Sequence, residues 1–347
     1  MFYDKRIKWI DYAKAIAIVC VIYGHTYENI IVKWIYSFHM PLWFFLSGIT
    51  FKYYEDMNTF IKKKCKSIIV PYIQFGIIRI IWISIKKIVL YRDYDMTYIF
   101  KLLVGIVVNK RNEEYSIGLW FLPLLFFTEL FAYLIINKFR KKKYFMFYVE
   151  CVIILLLVFE YLYWKNIKYI FPYGIDAIGS SLSFFLIGYL YKKNKKNRNI
   201  NCKKKILFAF IVNVISGAIN TYIISKSKID MYYGNYGNIL LYFISAISGI
   251  YFILKLCILI DNVVIKKILF IGKNTLYIYC LHQIFIDIGD LFLMKVRIDP
   301  YANYFNTYTI DFLITIWAML MSLLCIMAFS KIKNNSITQN RYRKLFK

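Results

Sequence analysis

The chain has 347 residues, of which 60% are hydrophobic and 20% aromatic, and its mean hydropathy is +0.53. A soluble domain of this length is nearer half apolar, so the composition excludes an ordinary soluble protein. The formal net charge of +27 favours contact with anionic lipid headgroups over nucleic acid, because the basic residues form short runs between apolar segments.

Ten apolar segments of membrane-spanning length follow one another along the chain, since one span takes about 20 apolar residues. They are residues 9–28, 34–51, 68–88, 119–137, 144–163, 174–191, 206–225, 238–260, 268–291 and 310–330. Lipid permits only helices or closed barrels, and these segments have helical length, so we predict an all-α polytopic bundle in a single domain over residues 1–347. A shorter apolar stretch, residues 98–108, is predicted to be re-entrant or interfacial.

The basic residues are distributed unevenly between the two sides of the predicted bundle. With a cytoplasmic N-terminus, 29 of the 46 lysines and arginines fall in cytoplasmic segments. This asymmetry follows the positive-inside rule, so both termini are predicted to be cytoplasmic. The seven cysteines form no CxxC pair, so neither a disulfide framework nor a zinc site is predicted.

The first segment carries three polar residues that are costly in hydrocarbon, where an ionised side chain costs about 2.5–3.5 kcal/mol at mid-bilayer. At about 100° per residue, Asp11, Lys14 and His25 fall on one stripe of a helix, with Lys14 about 16 Å from His25 along its axis. The stripe favours a polar seam that faces the interior of the bundle. The alternative is that the three residues snorkel from the two ends of the span.

Two further histidines are predicted to lie at the depth of His25. His39 is in SFHMPLWFFLSG, residues 37–48, where Ser47 and the glycine after it permit close helix contact. His282 maps to the outer half of its own span. One alternative is a structural role for His39, with its ring bonded to the backbone. A metal site formed by the three histidines is another, but no carboxylate is placed to support a metal ion, so no metal site is predicted.

Other charged residues lie within or at the ends of the apolar segments. Arg79 and Glu129 fall near mid-depth on separate segments and could pair or contact a polar ligand. Four aspartates at outer helix ends are either interfacial residues or hydroxyl-binding groups: Asp176, Asp287, Asp290 and Asp311.

Three motifs resemble those of a known family. Asp11 and Lys14, ten intervening residues and His25, followed by FHMPLWFFLSG, resemble the N-terminal signature of the acyltransferase-3 family of integral membrane proteins. Within that family, the polysaccharide O-acetyltransferase branch with its fucose 4-O-acetylase-like proteins is the most similar. LWFLPLLF, which contains Trp120, and IGKNTLYIYCLH, which ends at His282, are similar to later motifs of the family.

The resemblance implies transfer of an acetyl group from cytoplasmic acetyl-CoA to a hydroxyl of a cell-surface or lipid-linked glycan. It implies a bacterial plasma or inner membrane, with acetyl-CoA as substrate and no bound cofactor. Lys14 takes the basic position of the signature and His25 the catalytic position. Lys63 and Lys66 stand where members commonly carry a basic pair, although lysine lacks the bidentate fork of arginine.

Residues and resemblance together predict a division of roles. Lys14, Lys63, Lys66 and Arg79 are expected to bind the donor, whose phosphates attract cations. A neutral His25 is expected to take the proton of the acceptor hydroxyl, with an acetyl-imidazole intermediate as the open variant. Asp11 is a further candidate and could hold Lys14. His39 and His282 could orient the acceptor or stabilise an oxyanion. The supporting residues are predicted to be Ser47, Glu129 and Trp120.

Two other functions remain open. A secondary transporter that exports a glycan precursor would also keep charges inside a bundle, but it usually has an inverted repeat and paired broken helices, and the sequence shows neither. A non-catalytic membrane module that senses a small molecule is the second alternative.

Overall fold

The computed structural model describes residues 7–92, 95–111, 118–194, 203–260, 265–301 and 304–345. Within these ranges the chain forms helices, and extended pairing is confined to an isolated antiparallel bridge between Asp230 and Asn235. The all-α prediction is therefore confirmed. The α-helices are α1 Lys8–Gly24, α2 Ile30–Tyr36, α3 His39–Thr50, α4 Met57–Lys64, α5 Val70–Tyr91, α6 Met96–Val108, α7 Phe121–Phe139, α8 Phe145–Asn166, α9 Ile178–Lys193, α10 Lys203–Ala218, α11 Ile239–Leu259, α12 Lys266–Lys273, α13 Thr275–Val296 and α14 Tyr304–Leu345.

Nine helical stretches in the described part of the chain are long and apolar enough to cross a membrane. They coincide with nine of the ten predicted segments, so the polytopic architecture is confirmed. They are Ile30–Thr50, Met57–Leu90, Phe121–Phe139, Phe145–Asn166, Pro172–Lys193, Lys203–Ser225, Ile239–Leu259, Thr275–Val296 and Thr307–Lys331. The short helix predicted at residues 98–108 is α6, which has 13 residues.

Two predicted boundaries are wrong. The first segment ends as a helix at Gly24 rather than at residue 28, because the backbone N–H groups of His25 and Thr26 turn back onto Ile22 and Tyr23. The segment predicted at residues 268–291 is broken at Asn274, so that α12 and α13 are separate helices. Most of the basic run at residues 192–205 lies outside the described ranges, as does Cys202, whereas the six other cysteines are free.

Two compact units are distinguished within the predicted domain. Unit 1 comprises Met1–Val32 and Val263–Lys347, and unit 2 comprises Lys33–Asn262. In unit 1, α1 packs against α12, α13 and α14. The crossing of α1 and α12 is close, since a Cβ atom at Gly272 would lie 2.1 Å from the carbonyl oxygen of Asp11. A glycine is therefore required where these two helices meet.

Unit 2 is built around the contact between α3 and α9. A Cβ at Gly48 would lie 2.0 Å from the carbonyl oxygen of Phe185, and one at Gly188 would lie 2.1 Å from that of Phe45. The close helix contact predicted for this part of α3 is thus confirmed at Gly48. Helices α4, α7, α8 and α9 enclose a hydrophobic core in which Phe60 stacks on Tyr133. Helix α10 pairs with α11.

The basic sequence KKKCK contains a change of helix type. Helix α4 begins at Asp56, whose carboxylate accepts from the backbone N–H groups of Asn58 and Thr59. It continues through a π-helical turn, Cys65–Ile69, into α5. Such single π turns are frequent at functional sites, because the extra residue rotates the side chains on either side of it.

Candidate functional site

His25 lies directly after the last residue of α1. Its backbone N–H donates to the carbonyl of Ile22 at 3.0 Å, and its side chain is exposed. The imidazole faces that of His282 on α13, with 5.2 Å between the ring centroids and 41° between the ring planes. The structure therefore brings two of the three histidines together.

The buried partner of this pair has a defined hydrogen-bonding state. His282 is 3% exposed, and its Nδ1 lies 2.6 Å from the carbonyl oxygen of Tyr279. A carbonyl oxygen can only accept, so Nδ1 carries the hydrogen, and Nε2 of the neutral ring is an acceptor. The pair is thus an exposed imidazole beside a buried one whose tautomer is fixed by the backbone.

Asp11 and Lys14 lie near the opposite end of the same helix. Asp11 is buried, at 4% exposure, where α12 crosses α1, and Lys14 is half-buried. A buried Asp11 agrees with a seam better than with snorkelling, which would place its carboxylate in solvent. The spacing of eleven residues puts Lys14 about 16 Å from His25 along α1.

The turn after His25 is held by two of the aspartates noted in the sequence. Asp311 of α14 accepts from the backbone N–H of Tyr27 at 2.9 Å and from the side-chain amide of Asn29. Asp290 of α13 accepts from the Tyr27 hydroxyl at 2.8 Å. These carboxylates bind protein groups of the turn, whereas Asp176 belongs to a cluster in unit 2.

His39, the third histidine, is the first residue of α3 in unit 2. It is 4% exposed, its Nδ1 lies 3.0 Å from the carbonyl oxygen of Ile35, and its ring packs edge-on against Tyr36. These contacts match the structural alternative for His39, a histidine bonded to backbone. Ser47 in the same helix donates its hydroxyl to the carbonyl of Trp43 at 2.9 Å.

The predicted donor lysines lie at the π-helical turn of unit 2, with Lys66 inside the turn and Lys63 two residues before it. Lys63 and Lys66 are exposed, and Lys63 lies over the ring of Tyr54 at 4.2 Å from its centroid. Lys64 belongs to the same lysine cluster, but sequence reasoning did not foresee its ion pair, in which its Nζ lies 2.5 Å from Glu129 Oε2. This ion pair joins the turn to α7. In the sequence, only the lysine run that contains Lys64 and the acidic residue within the apolar segment of α7 pointed to this ion pair.

Arg140 closes a second ion pair in unit 2. Its guanidinium bonds both carboxylate oxygens of Glu55 and lies over the ring of Tyr53. The hydrogen bonds from Arg140 hold the pKa of the Glu55 carboxyl below its usual value. The pair ties the loop between α3 and α4 to the end of α7.

Trp120 packs against a buried guanidinium that the sequence did not single out. The side chain of Arg111 is fully buried, pairs with Asp176 and donates to the carbonyl of Met231 at 3.1 Å. The rings of Trp120 and Tyr232 lie 5.5 and 5.6 Å from its guanidinium carbon. Arg111 therefore ties together three loops of unit 2, and its place in a polar stretch of sequence hid it from sequence analysis.

The fold and these residues define a class: a multi-pass helical membrane protein that keeps imidazole and charged side chains within its helices. The model of a protein family described as an acyltransferase domain matches residues 7–335, which is nearly the whole chain. The chain belongs to this family, acyltransferase family 3, and is a membrane acyltransferase. No curated protein and no solved structure gives a significant match.

Proposed function

We propose that this acyltransferase is an O-acetyltransferase of a bacterial plasma or inner membrane. It moves the acetyl group of cytoplasmic acetyl-CoA to a hydroxyl of a cell-surface or lipid-linked glycan. The observation that carries the proposal is the imidazole pair of His25 and His282 at one end of a helix whose other end holds Lys14.

The donor is a thioester that carries phosphates, which bind cationic side chains through charge-assisted hydrogen bonds. Lys63 and Lys66 are exposed at the π-helical turn and take no part in the ion pair that holds Lys64 to Glu129. Lys14 and Arg79 are half-buried and are the other cations proposed to contact the donor.

The chemistry assigned to His25 is general base catalysis. The neutral imidazole takes the proton of the acceptor hydroxyl as its oxygen attacks the thioester carbonyl, and the carbon–sulfur bond then breaks. The proton passes to the departing sulfur, so the products are the acetyl ester and the CoA thiol. His282 Nε2, an acceptor, can bind the N–H of the His25 imidazolium and stabilise its charge.

The test is transfer of radiolabelled acetyl groups to surface glycan in cells that express wild type or variants at equal level. His25→Ala is expected to lower labelling about 100-fold or more, the usual contribution of a general base. Lys14→Ala is expected to lower labelling because the donor binds more weakly, whereas Lys8→Ala on the same helix is the matched control and is expected to label like wild type. Unchanged labelling in His25→Ala would overturn the proposal, and uptake of solute without acetyl-CoA would favour an exporter.

A further inference from the structure

We propose that Asp311 and Asn29 are positioning residues that fix the turn carrying His25 and so aim its imidazole at the substrate. The inference rests on the proposed function, because the group that they position is the proposed base. It assigns to Asp311 a role other than binding an acceptor hydroxyl.

The carboxylate of Asp311 is fully buried, at 0% exposure, on α14. One oxygen accepts from the backbone N–H of Tyr27, two residues after His25, and the other from the side-chain amide of Asn29. Both oxygens are thus engaged by the turn. This leaves Asp311 better suited to holding the turn than to binding a sugar hydroxyl.

Asn29 connects this carboxylate to the start of the next helix. Its side-chain oxygen accepts from the backbone N–H of Val32 at 2.9 Å, and its amide nitrogen also donates to the Tyr23 hydroxyl at 3.2 Å. One side chain therefore contacts the end of α1, the start of α2 and Asp311. The turn between them has little freedom left.

Helix α13 holds the same turn at two points. His282 faces the ring of His25, and Asp290 accepts from the Tyr27 hydroxyl at 2.8 Å. Eight residues separate them, so the two points lie about 12 Å apart along the helix. With Asp311 on α14, the turn is held from two helices.

The energetics favour a geometric role for the buried carboxylate. Burying a carboxylate costs desolvation that its hydrogen bonds only partly offset, and an apolar residue of similar size usually stabilises as well or better. A buried acid that is bonded to a turn two residues from the proposed base therefore fits a role in fixing one conformation of His25 better than a role in stabilising the fold.

An exchange of the two partners tests whether they act as a pair. Asp311→Asn leaves two amides facing each other, so one of the two bonds to the turn is lost, and Asn29→Asp places two carboxylates in contact. In the double variant, the amide introduced at position 311 can donate to the carboxylate introduced at position 29, and its oxygen can still accept from the Tyr27 N–H. The introduced carboxylate can also still accept from the Val32 N–H. The double variant therefore restores the hydrogen bonds to Tyr27, to Val32 and between positions 29 and 311, and only the last of these has its donor and acceptor exchanged.

Two measurements, both made on membranes that contain the full chain, report on the conformation of the turn. The first is incorporation of radiolabelled acetyl from acetyl-CoA into surface glycan, measured as maximal rate and as half-saturating acetyl-CoA. The second is the rate at which diethyl pyrocarbonate modifies His25 relative to His39, read by mass spectrometry. His39 is the internal reference because global unfolding would expose it as well.

Each single variant is expected to lower the maximal rate about tenfold, to leave half-saturating acetyl-CoA within about twofold, and to change the His25:His39 modification ratio about threefold or more. The double variant is expected to return both readouts to within about twofold of wild type. Asp299→Asn, which alters a carboxylate of unit 1 bonded to the backbone of Tyr301, is expected to match wild type.

The inference is overturned if the single variants behave as wild type, or if the double variant is no better than the worse single variant. Should one single variant fail to accumulate, the modification ratios of the other single variant and of the double variant decide the inference by the same criteria. If wild type transfers no acetyl, the proposed function fails, and the modification ratio still decides whether the pair fixes the turn.

Discussion

At the scale of single residues, the two nitrogens of His282 have different tasks. Nδ1 donates to the carbonyl of Tyr279, which holds the ring in place, and Nε2 is the nitrogen that can act on His25. The two tasks can be separated by substitution, because the amide of asparagine reaches about as far as Nδ1 and that of glutamine about as far as Nε2.

His282→Gln is therefore expected to keep more activity than His282→Asn. We expect the asparagine variant to transfer acetyl about tenfold more slowly than wild type and the glutamine variant within about threefold, since only glutamine restores an acceptor near His25. Initial rates at saturating acetyl-CoA check this order. The reverse order would show that the backbone bond, rather than the acceptor, is what His282 contributes.

The arrangement of these residues was only partly predictable from the sequence. Helical spacing places Asp11, Lys14 and His25 on one stripe, and counting along the spans places His282 at a similar depth. Its pairing with His25 needs the packing of α13 on α1, which no local pattern encodes. Arg111 escaped as well, because it lies in a polar stretch of sequence and its ion-pair partner Asp176 is 65 residues away.

At the scale of elements, hydropathy predicts where helices lie better than where they break. The run at residues 268–291 is apolar throughout, yet the chain separates α12 from α13 at Asn274. The break accompanies the close approach of Gly272 to Asp11, a tertiary contact that hydropathy does not contain. The end of α1 was missed likewise, because the turn after it is held by side chains of α13 and α14.

Gly272 gives a prediction at this scale. Gly272→Ala places a Cβ 2.1 Å from the Asp11 carbonyl oxygen, so α1 and α12 must separate, and we expect a lower melting temperature and weaker acetyl transfer. Gly289→Ala on α13 is the matched control, because the nearest atom to its Cβ would lie 3.6 Å away. It should be neutral or slightly stabilising, since alanine has the higher helix propensity. Equal melting temperatures for the two variants would contradict the close crossing.

Arg111 allows a second prediction about how elements are joined. Arg111→Met leaves the Asp176 carboxylate buried without its cation, and removing one member of a buried pair costs about 3–5 kcal/mol. Arg111→Met combined with Asp176→Asn removes both charges and should recover part of that loss. Thermal unfolding of the protein in detergent measures both variants. A double variant less stable than Arg111→Met would show that the pair is not the main interaction of Arg111.

At the scale of the whole molecule, the distribution of charge sets the orientation on which the proposed donor site depends. The run KFRKKK, which starts in the last turn of α7 and continues toward α8, is predicted to be cytoplasmic, as are the lysines around the π-helical turn. The loops after α8 and before α11 are then predicted to face the outside. Lys63 and Lys66 can meet cytoplasmic acetyl-CoA only in this orientation.

Single cysteines in a cysteine-free background test the orientation. Asn166→Cys, at the last residue of α8, and Ser227→Cys, in the loop before α11, are both at exposed positions on the predicted outer side. Both are expected to react with a membrane-impermeant maleimide in intact cells. Lys142→Cys, exposed between α7 and α8, should react only after the membrane is permeabilised. The reverse pattern would place the lysines of the π-helical turn outside the cell. Lys63 and Lys66 could then not meet an acetyl donor from the cytoplasm, and the assignment of acetyl-CoA would fail even though the family membership stands.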